Sequence, residues 1–330
     1  DRLNEYRDEL RTVAEELGMQ TEFAKINNII SALLSTHDAK VLSTDSAKAL
    51  AVGNPFDKTR VELFEVLFEA IKDRYFVIRN NRNTDEESFR LFSFFESYFS
   101  NYIEGTEFEI DEAKAIVDSG IPMPRRDEDS HDILGTFKVL SNRAEMMKTP
   151  TSPKELFSIL SHRHSILLEG RPHMNPGIFK TKNNRAGMTE FVDYQLVKGT
   201  LSQGFKYYAA LTDPFARAIF MMFMISEVHP FNDGNGRVAR VMMNAEFVRA
   251  DQSRIIVPTV FREDYILALR KLTQHKDPLA YINVMTKLHQ FSDNLYGTDF
   301  TELKNYLATC NAYEEPSQAK LQIIDRTIIE

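Results

Sequence analysis

The chain has no tryptophan, one cysteine and no apolar run longer than residues 218–225, and these absences bound what it can be. A lone Cys310 rules out an intrachain disulfide and makes a thiolate metal cluster implausible, so a small buried side chain is expected there. An eight-residue apolar run is far too short to cross a bilayer, so no membrane partner is expected. The first residues, Asp1-Arg2-Leu3-Asn4-Glu5, lack a signal-peptide pattern and an initiator methionine. A cytoplasmic setting is therefore the default, with sequence upstream of Asp1 expected. An excess of positive charge is also missing: 40 Lys and Arg against 48 Asp and Glu give a net charge of −8. That argues against a general nucleic-acid binder. Internal repeats and low-complexity segments are absent.

What is present reads mostly as helix. Apolar residues recur at helical spacing over 5–17 and 22–34, separated by Gly18, and again over 58–74. Thr84 followed by Glu87 resembles a capping box opening the next helix. On that helix Leu91, Phe92, Phe95, Tyr98, Phe99 and Tyr102 predict one broad aromatic core face. Helices are predicted over 111–119, 130–147 and 153–168, with a turn at 121–126 and a loop over 170–185. The stretch 189–194 has strand propensity and is a candidate hairpin arm. Asp213-Pro214 is a strong helix start, and 215–228 is apolar nearly all round, as in a helix at the centre of a domain. A second apolar helix is predicted over 238–249.

Between those two helices lies His229-Pro230-Phe231-Asn232-Asp233-Gly234-Asn235-Gly236-Arg237-Val238-Ala239-Arg240. Taken singly, its residues suggest a cap or a turn. Together, each type suits the movement of a phosphorus-containing group. Gly234 and Gly236 let backbone N–H groups approach an anion, and a helix starting there adds its positive end. Asp233 is a hard oxygen ligand of the kind Mg²⁺ uses beside substrate phosphates. His229 can take a proton from a hydroxyl near neutral pH. Arg237 and Arg240, three apart, share one helix face and can address the same charged object.

The stretch matches HPFx[DE]GNGRxxR at every fixed position, and on it the chain resembles the Fic family. The run 176–180 after Gly170 (with Phe179 and Lys180 in place of the usual Tyr and Arg), Ile256-Val257-Pro258 and Arg262-Glu263-Asp264-Tyr265 extend the resemblance to about residues 100–288. The resemblance implies a mostly α fold, a helical bundle with a short β-hairpin flap beside the active loop. It implies transfer of AMP from ATP, as co-substrate, to a Ser, Thr or Tyr hydroxyl of a protein target, which could be the chain itself. By motif position His229 would deprotonate that hydroxyl, and Asp233 would hold Mg²⁺. Backbone around Gly234, Asn235 and Gly236 would form the anion hole, with Asn235 also on the α-phosphate. Arg237 and Arg240 would bind the β- and γ-phosphates, and Phe231 would anchor the loop.

Ser100-Asn101-Tyr102-Ile103-Glu104-Gly105 further fits the family's inhibitory pattern [ST]xxxE[GN]. Ser100 and Glu104 are stacked on one helix face, and in relatives the glutamate pairs with the second arginine, here Arg240, where the γ-phosphate belongs. This suggests the subclass whose inhibitory helix precedes the catalytic core. The expected organisation is an N-terminal helical region (1–85), the inhibitory helix with the Fic core (86–295), and a C-terminal helical extension (296–330). The flap, placed near 182–194, lacks the proline-rich exit common in relatives, and the extension is too short for their winged helix. Relatives often form homodimers, so a homodimer is a candidate state to which no residue is assigned. Removal of AMP, with Glu104 acting on a water, or transfer of another phosphate-containing group by the same loop are the competing chemistries. A nucleotide-binding scaffold without turnover is the competing class.

Overall fold

The computed structural model describes residues 2–34, 39–187 and 189–326. Met188 of the expected flap and residues 327–330 of the expected C-terminal extension lie outside them. In chain order the helices are α1 (Arg2–Glu16), α2 (Gln20–Leu33), α3 (Asp45–Ala51), α4 (Lys58–Ile71), α5 (Glu86–Ile103), α6 (Ile110–Ser119), α7 (Asp127–Leu140), α8 (Arg143–Met146), α9 (Pro153–Leu167), α10 (Val197–Ala210), α11 (Pro214–Val228), α12 (Asn235–Arg249), α13 (Arg262–His275), α14 (Pro278–Ser292) and α15 (Phe300–Thr309). The strands β1 (Arg185–Ala186) and β2 (Thr189–Glu190) form one antiparallel hairpin. The fold is thus the mostly helical bundle with a short hairpin that the sequence predicted. Among the described residues no helix is long and apolar enough to cross a membrane.

The bundle is built around α11 and α12, which pack along each other. α11 starts where Asp213 accepts the Ala216 N–H (2.9 Å) and Pro214 occupies the first turn. From Phe215 to Val228 only Arg217 and Ser226 escape full burial. One apolar core joins these two helices to α4 through Phe64 and Leu67, and to the C-terminal segment through Leu307 and Cys310. A smaller cluster of Ala32, Leu42 and Ala51 serves α2 and α3.

Three local expectations are corrected. The cap of α5 is Asp85, whose carboxylate accepts the Ser88 N–H (2.9 Å), so the box predicted from Thr84 and Glu87 does not form. A carboxylate one residue nearer the apolar run satisfies the orphan amide without it. The single helix predicted over 130–147 is two, because the Asn142 side chain accepts the Glu145 N–H (3.0 Å) and starts α8; asparagine competes with helical backbone in this way. The strand predicted over 189–194 stops at Glu190, since Val192 turns into the core and Asp193 caps a following 3₁₀ turn.

α5 is buried on nearly every side, not on one aromatic face. Its polar residues are paired internally. Ser97 donates to the Ile133 carbonyl (2.9 Å), Asn244 of α12 donates to Glu96 (2.6 Å), and Glu96 pairs with Arg254 at 2.9 Å. Arg254 in turn donates to the Phe89 carbonyl (3.0 Å) and lies against the Phe89 and Phe92 rings. The C-terminal segment covers the other side, with Tyr313 stacked on Phe99 at 5.5 Å. Glu96→Ala strands the buried Arg254 guanidinium, so a loss of ~3–5 kcal/mol is expected. A thermal or denaturant melt reads it, and an unchanged midpoint would remove this pair from the forces holding α5.

Candidate active site

α11 ends at His229, whose backbone is left-handed (φ 51°) and whose N–H closes on the Ile225 carbonyl (2.9 Å). That geometry folds the imidazole back over its own helix, with Nδ1 3.0 Å from the Ser226 carbonyl. A carbonyl can only accept, so Nδ1 carries the proton and Nε2 keeps its lone pair. One face of the ring lies on Phe191, just after β2, with centroids 3.5 Å apart and planes within 3°. Burial pushes the His229 pKa down to about 4; the nearby Lys180 charge adds to this, while the Ser226 carbonyl, Glu104 and Asp233 oppose it. The ring is therefore neutral at pH 7.

The loop after His229 is braced from below. Phe231 is fully buried, stacked on His164 of α9 (3.7 Å, 4°) and edge-on to Phe179 (5.1 Å). His164 accepts the Gly177 N–H at Nδ1 (2.8 Å), so its Nε2–H donates to the Asp233 carbonyl (2.9 Å). Lys180 N–H holds the Pro230 carbonyl (2.8 Å), and the Asn184 amide holds that of Phe231 (2.9 Å). His164 and Asn184 were invisible in the sequence: each is tens of residues from the loop and belongs to no local pattern. The Asn235 side chain bonds both the N–H (2.8 Å) and the carbonyl (2.9 Å) of Phe231, which leaves its backbone to face an anion.

Gly234 is left-handed (φ 70°) and caps α12, whose first-turn amides have no acceptor within the helix and point toward the cleft. The Asp233 carboxylate accepts the Gly234 N–H (2.7 Å) with one oxygen, and its side chain is 39 % exposed. The cleft itself encloses about 440 Å³, walled by the loop, the hairpin, Glu104 and the α13 face carrying Tyr265 and Leu269.

The two arginines, expected to address one charged object, face different acids. Arg240 donates to the Ser100 hydroxyl (2.9 Å), the Ser100 carbonyl (2.8 Å) and Glu104 (2.7 Å). Arg237 is buried against Asp132 of α7 (2.8 Å), which also takes Arg171 (2.7 Å). Asp132 is a third residue that no sequence pattern disclosed. Glu104 sits directly over Gly236: a Cβ there would lie 2.2 Å from its Oε1, so the lack of a side chain at 236 leaves room for the carboxylate. Burial raises the Glu104 pKa, but the charge and hydrogen bond of Arg240, helped by Arg237 and His229, outweigh it and hold the carboxyl below its ordinary value.

A histidine thus stands beside a glycine-started helix, in a mostly helical body with one small hairpin. Residues 156–246 match the model of the Fic/DOC family, so this part of the chain carries a Fic domain. The protein adenylyltransferase fic-1 of Caenorhabditis elegans is 26 % identical over 231 residues, covering 68 % of this chain and 45 % of that protein. The protein adenylyltransferase Fic of Nematostella vectensis is 24 % identical over 214 residues, covering 60 % and 47 %. The chain thus spans less than half the length of these curated relatives. Among solved structures, Fic-1 (residues 134–508) of C. elegans superposes with a TM-score of 0.52 at 16 % identity, over 92 % of this chain and 87 % of that one. A Fic family protein of Desulfovibrio desulfuricans G20 gives 0.53 at 16 % identity, over 78 % and 76 %. At such identities the superpositions speak for the fold alone.

The Glu104 carboxyl titrates below the ordinary carboxylate value, so its pair with Arg240 is complete above that value. It is lost only as pH falls through the lowered pKa. A ¹³C titration of the Glu104 carboxyl should therefore show a midpoint below the ordinary glutamate value. A midpoint at or above that value would contradict the pairing.

Proposed function

We propose that this chain is an autoinhibited protein adenylyltransferase, transferring AMP from ATP to a Ser, Thr or Tyr hydroxyl of a protein target. The observation that carries this reading is His229, with Nδ1 on the Ser226 carbonyl and Nε2 left unprotonated, lining one cleft with the glycine-started N-terminus of α12. The names of the relatives, protein adenylyltransferases, support it.

In this reading His229 Nε2 takes the proton of the target hydroxyl as its oxygen bonds to the α-phosphorus. The bond from that phosphorus to the bridging oxygen breaks, and pyrophosphate leaves. The first-turn amides of α12, around Gly236, stabilise the charge that gathers on the α-phosphate oxygens. Arg237 and Arg240 neutralise the remaining phosphates once their present partners yield. Asp233 fits Mg²⁺: it is one half-exposed carboxylate at the cleft rim, sufficient for an ion that takes its other oxygens from phosphates and water. Among the described residues no group of three metal-ligating side chains gathers, which suits an ion arriving with the nucleotide. Bound there, Mg²⁺ would offset phosphate charge.

Inhibition follows from occupancy. Glu104, from the end of α5, holds the guanidinium that the γ-phosphate would need, and Ser100 shares it. This supports the subclass with an inhibitory helix ahead of the core. One observation favours a second use of the site: the Glu104 carboxylate is ionised and its side chain 35 % exposed, so it can hold a water for AMP removal.

Glu104→Gly incubated with ATP and Mg²⁺ should gain AMP by intact-protein mass spectrometry, at least ~tenfold faster than the parent chain. Losing a charge partner worth ~1.5–3 kcal/mol corresponds to such a factor. Glu104→Gly with His229→Ala should gain none. An adduct that survives His229→Ala would remove the histidine from the chemistry. An equal rate with and without Glu104 would sink the inhibitory role.

A further inference from the structure

His229 is held by more than its own loop. Its ring lies on Phe191, so its direction depends on where the hairpin stands. The hairpin is small, with only two residue pairs, Arg185 with Glu190 and Ala186 with Thr189. Two-stranded ribbons of this size do not hold a position unaided. Phe191 N–H bonds the Asn184 carbonyl (3.3 Å), so by strand alternation Glu190 directs its peptide groups away from β1, onto the outer edge of β2.

That edge is held by a residue far away in sequence. Arg60, in the first turn of α4, donates through Nη2 to the Glu190 carbonyl at 2.6 Å. Its Nη1 lies 3.0 Å from Glu227 Oε2. Glu227 is on the last turn of α11, two residues before His229, and its other oxygen accepts the Thr273 hydroxyl of α13. Both charged side chains are shielded, Arg60 to 15 % and Glu227 to 8 % exposure. One guanidinium therefore hydrogen-bonds the residue next to Phe191 and stands at ion-pair distance, without a hydrogen bond, from the helix turn next to His229.

We propose that Arg60 is a positioning residue for His229, clamping the hairpin to the end of α11 so that the Phe191–His229 stack stays closed and Nε2 faces the cleft. The geometry requires an arginine. A planar fork can serve a carbonyl and a carboxylate at once, whereas a lysine ammonium at the same reach would have to choose. The pair is also not free-standing stabilisation. A buried Glu227 without its partner is costly, so the ion pair forces the hairpin and α11 to share one anchor. The proposal rests on the adenylyltransferase reading only for its catalytic consequence, namely an aimed base. The clamp itself is a statement about position.

The test uses the whole chain and neither nucleotide nor target, so its failure is separate from failure of the proposed activity. Two quantities are read: the titration of the His229 ring by NMR with ring-labelled histidine, and amide exchange of residues 185–191. In the parent protein the ring should titrate well below the ordinary imidazole value, since the stack shields it. Arg60→Ala should move that titration toward ~6.5, because solvent enters around the ring; Glu104 and Asp233 are unchanged, and the fuller charge Lys180 takes once Arg60 is gone opposes the move without cancelling it. It should also speed hairpin exchange at least ~tenfold, leaving α12 amides unaffected. Arg60→Lys should restore the fold but not the slow hairpin exchange. If Arg60→Ala proves unstable, Arg60→Met with Glu227→Gln removes both charges and permits the same two readings. An unmoved His229 titration in a folded variant overturns the proposal. So does faster exchange spread evenly over the chain, which would make Arg60 an ordinary fold contact.

Discussion

The arrangement rests on the burial of α11 and α12 against each other. Both helices are enclosed, so the six residues between them have one direction in which to leave the core. The left-handed backbone at His229 ends the first helix abruptly, and the one at Gly234 starts the second. Phe231, between them, points inward and fixes the loop's height. With Phe231 inside, His229, Asp233 and the first amides of α12 emerge together. The same packing supplies rigidity, because the loop's carbonyls are tied to α9, to the segment at 177–184 and to Asn235. A site that must hold donors at fixed positions without reorganising is best built in this way.

Charge competition decides how tightly such a site is closed. Hydrogen bonds to charged groups contribute ~1.5–3 kcal/mol each, and exposure lowers that figure. Glu104 is 35 % exposed on its side chain, so its hold on Arg240 falls short of a fully buried pair. A ligand at a hundred times its Kd contributes ~2.7 kcal/mol. The two magnitudes are comparable, so under the proposed function a nucleotide and Glu104 would compete as near equals, and the contact would bias occupancy without forbidding it. Arg237 is the harder group to free: it is buried, and Asp132 that holds it is itself pinned by Arg171.

Much of this was legible in the sequence, for identifiable reasons. α11 announced itself through an aspartate cap, a proline and a continuous apolar run, all local signals. The loop chemistry sits in twelve consecutive residues, and Ser100 and Glu104 share a helical spacing. The misses are of two physical kinds. Thr84 against Asp85, and the break at Asn142, were contests between neighbouring polar side chains for one orphan amide, which spacing alone does not resolve. His164, Asp132, Asn184 and Arg60 act across the fold, from helices and loops whose sequences carry no trace of their partners. Asn235 adds a role that the sequence did not disclose: its side chain braces Phe231 from within the loop.

The same contacts say how Glu104 can leave Arg240. α5 cannot withdraw as a helix, because Ser97 is tied to α7, Glu96 to Arg254 and Asn244, and nearly every ring along it is buried. Moving it would expose the aromatic core and strand two buried charges, a cost far above that of one partly exposed ion pair. Its last turn is different. Gly105 is left-handed (φ 93°) and exposed, and Glu104 lies on the cleft side of the turn. Tyr102, on the same turn, donates to Glu315 of the C-terminal segment at 3.1 Å. Release of Arg240 is therefore a local matter of the turn at 102–105, with the helix behind it acting as a fixed mount. The C-terminal segment, touching that turn from outside, is the part of the chain best placed to stiffen or loosen it.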